Sequence, residues 1–345
     1  MNAKFILHIL YHFVLFSRSG EHYIINAPMT WKEVMSLLLR RLNKLDRTRN
    51  SIASRLRPMP IIVGSPRSGT TLLRLMLDTH PELAIPPETG FLALGPKFRG
   101  RGDKLRERFF HALINHPQPA PVWPDFEISE EAFQTALSGI NPFSVSKGYR
   151  TFYRLYAARF GKTRWGDKTP LYCLDIDAIR QTLPEARFIH IIRDGRDAAL
   201  SLRRMWFSPG WEIETQAAYW RRCVLAARRA GTGRADYIEV RYEDLILSAR
   251  ETLNRLCAFI DLDYDEAMLR YYERAPERLK EHKGRFFPDG TVLRSQEQRL
   301  SQQKRTTEPP DPACVFAWKS AMSSQEQERF RLVAGDLLSE LGYEM

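Results

Sequence analysis

The sequence predicts an α/β fold. Three short apolar runs, near residues 60–64, 187–192 and 236–241, have the continuous hydrophobic character of strands buried on both faces. Helical stretches alternate with them, as in strand–helix–strand units. The first two runs end in glycine-bearing turns that open directly into helices.

The 345 residues carry 52 Lys and Arg against 41 Asp and Glu, a net charge of +11, with 43% apolar and 27% charged residues. This balance fits a globular chain and excludes a disordered or collagen-like one. The length suits two domains of about 150 residues or one large α/β domain. Cys173, Cys223, Cys257 and Cys314 lie far apart without a C-x-x-C pair, which suggests neither a disulfide framework nor a cysteine metal site. The basic surplus admits nucleic acid, an anionic membrane or a polyanionic small molecule as partner. Its arginines sit beside apolar runs, as in Arg193-Asp-Gly-Arg196 and Arg203-Arg204, which points to anion binding within a fold.

Residues 4–16 are apolar but short, and His8, Tyr11 and His12 interrupt them. No stretch reaches the roughly 18 consecutive apolar residues that a spanning helix requires. Ser17-Arg-Ser-Gly20 is a poor signal-peptidase site. Thr30-Trp-Lys-Glu33 has the pattern of a capping box. Val34, Leu37, Leu38, Leu42 and Leu45 follow at helical spacing opposite Lys32, Arg40, Arg41 and Lys44. Such a helix either packs on the main domain or lies at a lipid surface.

The most informative stretch begins at Met59. Ile61, Ile62 and Val63 read as a buried strand, and Thr71 to Leu77 as a helix. Between them, Gly64 and Gly69 have the spacing of nucleotide-binding phosphate loops. Glycines allow the tight turn, and the free amides at the helix N-terminus face an anion. The lysine of a Walker loop is missing, because Thr70-Thr71 follows the second glycine. A nucleotide triphosphatase is disfavoured.

The second run, Phe188 to Ile192, ends in Arg193, and Asp194-Gly195 turns into a helix carrying Ser201 and Arg203. A guanidinium fork binds phosphate bidentately, and a serine hydroxyl adds a donor. The competing reading of Arg193 is a salt bridge with Asp194 or Asp197. His190, within the apolar run, reads as a core histidine. Further on, Ser248-Ala-Arg-Glu251 and Ser323-Ser-Gln-Glu326 are capping-box patterns. Segments 95–103, 117–128 and 284–312 read as irregular, and 97–108 as a basic loop.

Together the two strand–turn–helix segments resemble the PAPS-dependent sulfotransferase superfamily, in the flavour of the tyrosylprotein sulfotransferases and the related bacterial group. Arg67-Ser-Gly-Thr-Thr71 is similar to the element that holds the 5′-phosphosulfate, and Arg193 with Ser201 to the one that holds the 3′-phosphate. Asp78-Thr-His-Pro81, Pro87-Glu-Thr-Gly-Phe91, Trp165-Gly-Asp-Lys-Thr-Pro170, Val240-Arg-Tyr-Glu-Asp-Leu245 and Trp318-Lys319 occur in the family's order. The resemblance spans about residues 58–340. It implies a P-loop-like, mostly parallel central sheet flanked by helices over 58–345; residues 1–57 lie outside the resemblance and read as a helical N-terminal extension.

The resemblance also implies the chemistry. PAPS (3′-phosphoadenosine 5′-phosphosulfate) would be the cosubstrate, PAP the product, and no metal would take part. Glu88 matches the catalytic-base glutamate, with His80 as the rival base, and Lys168 matches a lysine beside the transferring sulfonate. Arg67, Ser68, Gly69, Thr70 and Thr71 would cradle the 5′ end, while Arg193, Ser201 and Lys319 would reach the 3′-phosphate. Tyr242 is either a cofactor contact or a core aromatic. Ser301 is a further candidate donor. Gly90 departs from the tyrosylprotein enzymes, which carry an arginine there that helps read acidic peptides. The expected partner is a hydroxyl- or amine-bearing acceptor, whether glycan, lipid, small molecule or protein tyrosine, and no nucleic acid. The location expected is cytoplasmic, with membrane-surface contact through residues 1–50. The rival readings are a P-loop-type kinase or phosphotransferase and a non-enzymatic polyanion-binding module.

Overall fold

The structure, a computed structural model, describes residues 56–345 and a short antiparallel pairing of Leu15–Phe16 with His22–Tyr23. The chain divides into two units, residues 1–51 and 52–345, and the site lies within the second. The amphipathic helix and membrane-surface segment expected before residue 50 fall outside the described residues. Among the described residues, no helix is long and apolar enough to cross a membrane.

Four strands form the central sheet: β1 (Met59–Val63), β2 (Asp167–Lys168), β3 (Ala186–Ile192) and β4 (Tyr237–Arg241). Their order is β2-β1-β3-β4, and every pairing is parallel. The chain therefore steps to one side of β1 for β2 and to the other for β3. Open parallel sheets bind ligands at such a switch point, outside the carboxyl ends of the strands.

Burial on both faces explains the continuous apolar runs. Alternate side chains of a strand point to opposite faces, so Ile61 and Val63 enter one core cluster while Ile62 enters another. In β3 the same alternation sends Phe188 to the first cluster and Ile189 and Ile191 to the second. The first cluster is aromatic, with Phe109, Phe126, Phe133 and Phe152 fully buried. The second packs helix α1 (Thr70–Asp78) against the sheet through Leu73, Leu75 and Met76. A third joins α2 (Gly195–Leu202), α3 (Ile213–Gly231) and α4 (Ser324–Glu340) around Trp220 and Phe330.

Three local expectations change. The basic segment 97–108 is helical from residue 102, in a helix spanning Gly102–Ile114. Leu105, Phe109, Phe110 and Leu113 form its buried stripe, and the charges that made it look like a loop occupy the other face. Ser323 forms its capping box with Glu326, whereas Ser248 precedes a helix without a side-chain cap. The segment 284–312 is also less irregular than it reads. It contains a hairpin of Arg285–Phe286 with Val292–Arg294 and a capped helix, Gln296–Ser301.

Candidate functional site

A cleft of about 710 Å³ opens over the carboxyl ends of the strands. Each strand delivers one element to it. Gly64 follows β1, Lys168 ends β2, Arg193 follows β3 and Tyr242 follows β4.

The turn after β1 allows no side chain at its glycines. A Cβ on Gly64 would lie 2.5 Å from the Ile191 carbonyl oxygen. At Gly69, where φ is +93°, it would lie 2.4 Å from Cδ2 of Tyr242. Tyr242 thus closes against the turn, which gives it a packing role as well as a place in the cleft wall. Gly69 is the N-cap of α1; it offers no side-chain cap, and no acidic residue occupies the first turn. The first amides of a helix have no intrahelical partner and favour an anion.

Arg67 sits in the same turn at φ +70°, a left-handed conformation that costs a non-glycine residue about 1–2 kcal/mol. Its Nε donates to Ser201 Oγ at 3.0 Å, which joins the turn after β1 to α2. Arg193 faces the same turn. It donates to the Arg67 carbonyl at 3.4 Å and the Cys314 carbonyl at 2.9 Å, and its guanidinium carbon lies 4.4 Å from the centre of the Tyr242 ring. The Asp197 carboxylate is 3.7 Å away, so the salt bridge is present but long. Arg193 Nε is buried without a partner among the described residues. Burial, then the neighbouring Arg193, lowers the Arg67 pKa, and Arg305 adds to the same effect. Such a group of partly desolvated cations fits a multiply charged anion.

Glu88 and Lys168 meet at the centre. Lys168 Nζ donates to Glu88 Oε1 at 2.7 Å and to Thr71 Oγ1 at 3.3 Å. Burial lowers the Lys168 pKa, and Glu88 opposes that shift. The chain immediately after Glu88 is fixed at two residues. Phe91 stacks on Tyr149 and packs edge-on against Phe152 in the aromatic core. Thr89 donates to Asp167 Oδ2 at 2.7 Å, and Tyr153 and Thr169 donate to the same carboxyl group. Desolvation raises the Asp167 pKa to about 6.

Of the residues expected from sequence, Arg67, Gly69, Thr70 and Thr71 line the cleft, as do Glu88, Lys168, Arg193, Ser201 and Tyr242. Ser68 is fully buried beneath the turn rather than lining it. Lys319 is not brought to the cleft. The Trp318 amide is anchored on Asp197, and the Lys319 ammonium pairs with Glu344 at the surface. Arg305 lines the cleft instead, close enough to Cys314 to donate to its sulfur at 3.1 Å. Ser301 bonds its own helix at Gln298. His80 is held at both nitrogens, by the Asp263 carbonyl and the Glu82 amide, which makes it structural. His190 is likewise a core residue, bonded to Tyr237 and lowered by burial to a pKa of about 3. A Cβ at Gly90 would lie 2.9 Å from His116 Nε2, so position 90 has no room for a side chain. Arg285, Arg294 and His282 also line the wall, and sequence reasoning missed all three. For Arg285 and Arg294 the one available signal was their place in the irregular segment 284–312; His282 lies just before it. Among the described residues, no group of three or more His, Cys, Asp and Glu side chains is placed to hold a metal.

Comparison with known proteins bears on the family and the fold. Residues 58–266 match the sequence model described as "Sulfotransferase family". The nodulation protein NoeE of Sinorhizobium fredii is 29% identical over 83% of this chain and 67% of its own. Protein-tyrosine sulfotransferase A of Caenorhabditis elegans is 26% identical over 63% of this chain and 53% of its own, so the match spans about half of that relative. Among solved structures, the sulfotransferase domain of the Synechococcus PCC 7002 olefin synthase superposes with a TM-score of 0.53 at 25% identity. That match covers 84% of this chain and 95% of the domain.

Proposed function

The chain belongs to the sulfotransferase family, and from that premise we propose that it transfers the sulfonate of PAPS to an acceptor hydroxyl or amine, with Glu88 as general base. The observation that carries this reading is the Lys168 ammonium, which touches Glu88 and the first turn of α1 at once.

The residues present fit PAPS. The buried, unpartnered Arg193 Nε and the converging Arg67 and Arg305 call for an anion, and the glycine turn leaves its amides to one. In this reading Arg67 with the 69–71 turn holds the 5′ end, Arg193, Ser201 and Arg305 hold the 3′-phosphate, and Tyr242 backs the turn. Bound there, PAPS supplies a sulfonate activated by its phosphate leaving group.

Glu88 is half exposed, with its side chain 52% accessible, so an acceptor hydroxyl can reach it. Accepting that proton sharpens the nucleophile as it attacks sulfur. Lys168, only 2% exposed, is a point charge in a dry wall. There it stabilises negative charge that develops on the leaving oxygen more than it would in water. When Glu88 takes up the proton, its hold on the ammonium weakens, and Lys168 is freed towards that oxygen. Thr71 keeps it aligned.

The test is transfer of radiolabel from PAPS to a panel of saccharides, phenols, lipids and tyrosine peptides, beside a calorimetric titration with PAP. Binding of PAP with turnover that needs Glu88 supports the reading. ATP-dependent phosphoryl transfer without PAP binding would replace it by the kinase alternative.

A further inference from the structure

The cleft wall also includes Arg285, Leu293 and Arg294, from the hairpin that pairs Arg285–Phe286 with Val292–Arg294. Arg294 is the register partner of Arg285, across an irregularity between Val292 and Arg294 that shifts the pairing by one residue. Like charges brought together across a strand pair are destabilising unless something neutralises them. Neither guanidinium has a carboxylate partner among the described residues. Arg285 donates to the Ala120 carbonyl at 2.8 Å, and Arg294 lies over Trp206 at 4.6 Å. The Nε of each is buried without a hydrogen-bond partner. A buried donor left unsatisfied is costly, more so when it belongs to a charged group. The nearby carboxylates are already engaged, Asp125 by Arg299 and Glu88 by Lys168. Arg285 is additionally perturbed by burial and by Arg299.

Two arginines without carboxylate partners, paired in register and lining one cavity, can take an anion between them. The geometry points to a clamp for the acceptor: Arg285 and Arg294 hold a carboxylate, phosphate or sulfate group on the molecule whose hydroxyl meets Glu88. This rests on the sulfotransfer reading and adds the substrate class, an anionic saccharide. The rim supports that class. Trp206 and Phe207 pack edge to face at 5.5 Å and remain 53% and 39% exposed, forming a platform for a ring beside the charge site. One paired charge site next to an aromatic platform suits a single acidic group on a ring. An extended acidic peptide calls for cations spread along a groove.

The experiment uses the full chain loaded with PAP and three titrants: a glucuronate-bearing disaccharide, its neutral glucose counterpart and a tyrosine peptide flanked by glutamates. The acidic disaccharide should bind at least about tenfold tighter than the neutral one, the value of one charge-assisted contact. R285Q and R294Q should each erase that preference while PAP affinity stays within about twofold, which also reports that the variants fold. Equal binding of the two sugars, tighter binding of the peptide, or loss of PAP affinity in both variants would overturn the clamp. Failure of the wild-type chain to bind PAP would instead defeat the sulfotransfer reading. In that case the same comparison of the two sugars on the unloaded chain still decides the clamp.

Discussion

Lys168 Nζ lies 2.7 Å from Glu88 Oε1, with the lysine side chain almost wholly buried and the glutamate half open to the cleft. The pair is asymmetric. The cation is fixed in the wall by its strand and by Thr71, while the carboxylate remains within reach of a substrate. In the proposed roles of base and electrostatic stabiliser, the two would act on opposite ends of one displacement.

Glu88→Gln should lower kcat by about 10²–10⁴-fold, the usual contribution of a positioned proton acceptor. PAP affinity should hardly change, because Glu88 is not among the cations that meet the anion. Radiolabel transfer and calorimetry on the same preparation check both halves.

Lys168→Met separates catalysis from stability. Turnover should fall by about 10²–10³-fold, as for loss of a preorganised charge donor. Thermal stability should change little, since Met fills the volume of the lysine stem and the partner left behind is not a buried charge. Glu88, half exposed, then takes its hydration from water. A large drop in Tm would assign Lys168 a structural role.

Arg193→Gln should weaken PAP binding by about 10–100-fold, the worth of a charge-assisted hydrogen bond or two. At saturating PAPS, kcat should change far less than in the two preceding variants. The comparison of kcat with KM for PAPS is the measurement.

Gly69→Ala places a methyl group 2.4 Å from Tyr242 Cδ2 at a φ that L side chains rarely adopt. The turn must open, so PAP affinity should fall by at least about tenfold. Calorimetry reads the affinity, and circular dichroism shows whether the remainder of the fold persists.

Asp167 gives a pH signature. Its folded pKa, about 6, is above the usual value of about 4, so the folded state holds the proton more tightly than the unfolded chain. The stability linked to that proton is fully present below about pH 4 and is lost as pH rises through about 6. Relative to Asp167→Asn, which cannot titrate, the wild-type chain should lose up to roughly 3 kcal/mol between those limits. Paired denaturant titrations across the range would show a constant difference if the proton is not involved.

The parts of the site that a reader of the sequence can find are those encoded locally. The glycine turn after β1 and the Arg193–Ser201 segment are each a strand, a turn and a helix contiguous in the chain, so spacing alone exposes them. The two-residue strand β2 is too short and too polar to read as a strand. Lys168 is buried only because Ile62 pairs with it across the sheet. The same limit explains Lys319 and Arg305. Which cation turns inward depends on Trp318 docking on Asp197, a contact 121 residues apart in sequence. Helix 102–114 was obscured by its charged outer face, and the Arg285–Arg294 pair by a hairpin with no distinctive turn residues beyond Asp289-Gly290.

The carboxyl ends of the four parallel strands carry the proposed donor site, whereas the hairpin 285–294 lies outside the sheet. On the proposed reading, selection could retarget the chain piecemeal. Exchanging the hairpin for another of equal length should then alter which molecule is modified and leave the transfer apparatus intact, a modularity that a site assembled from a single contiguous segment would lack.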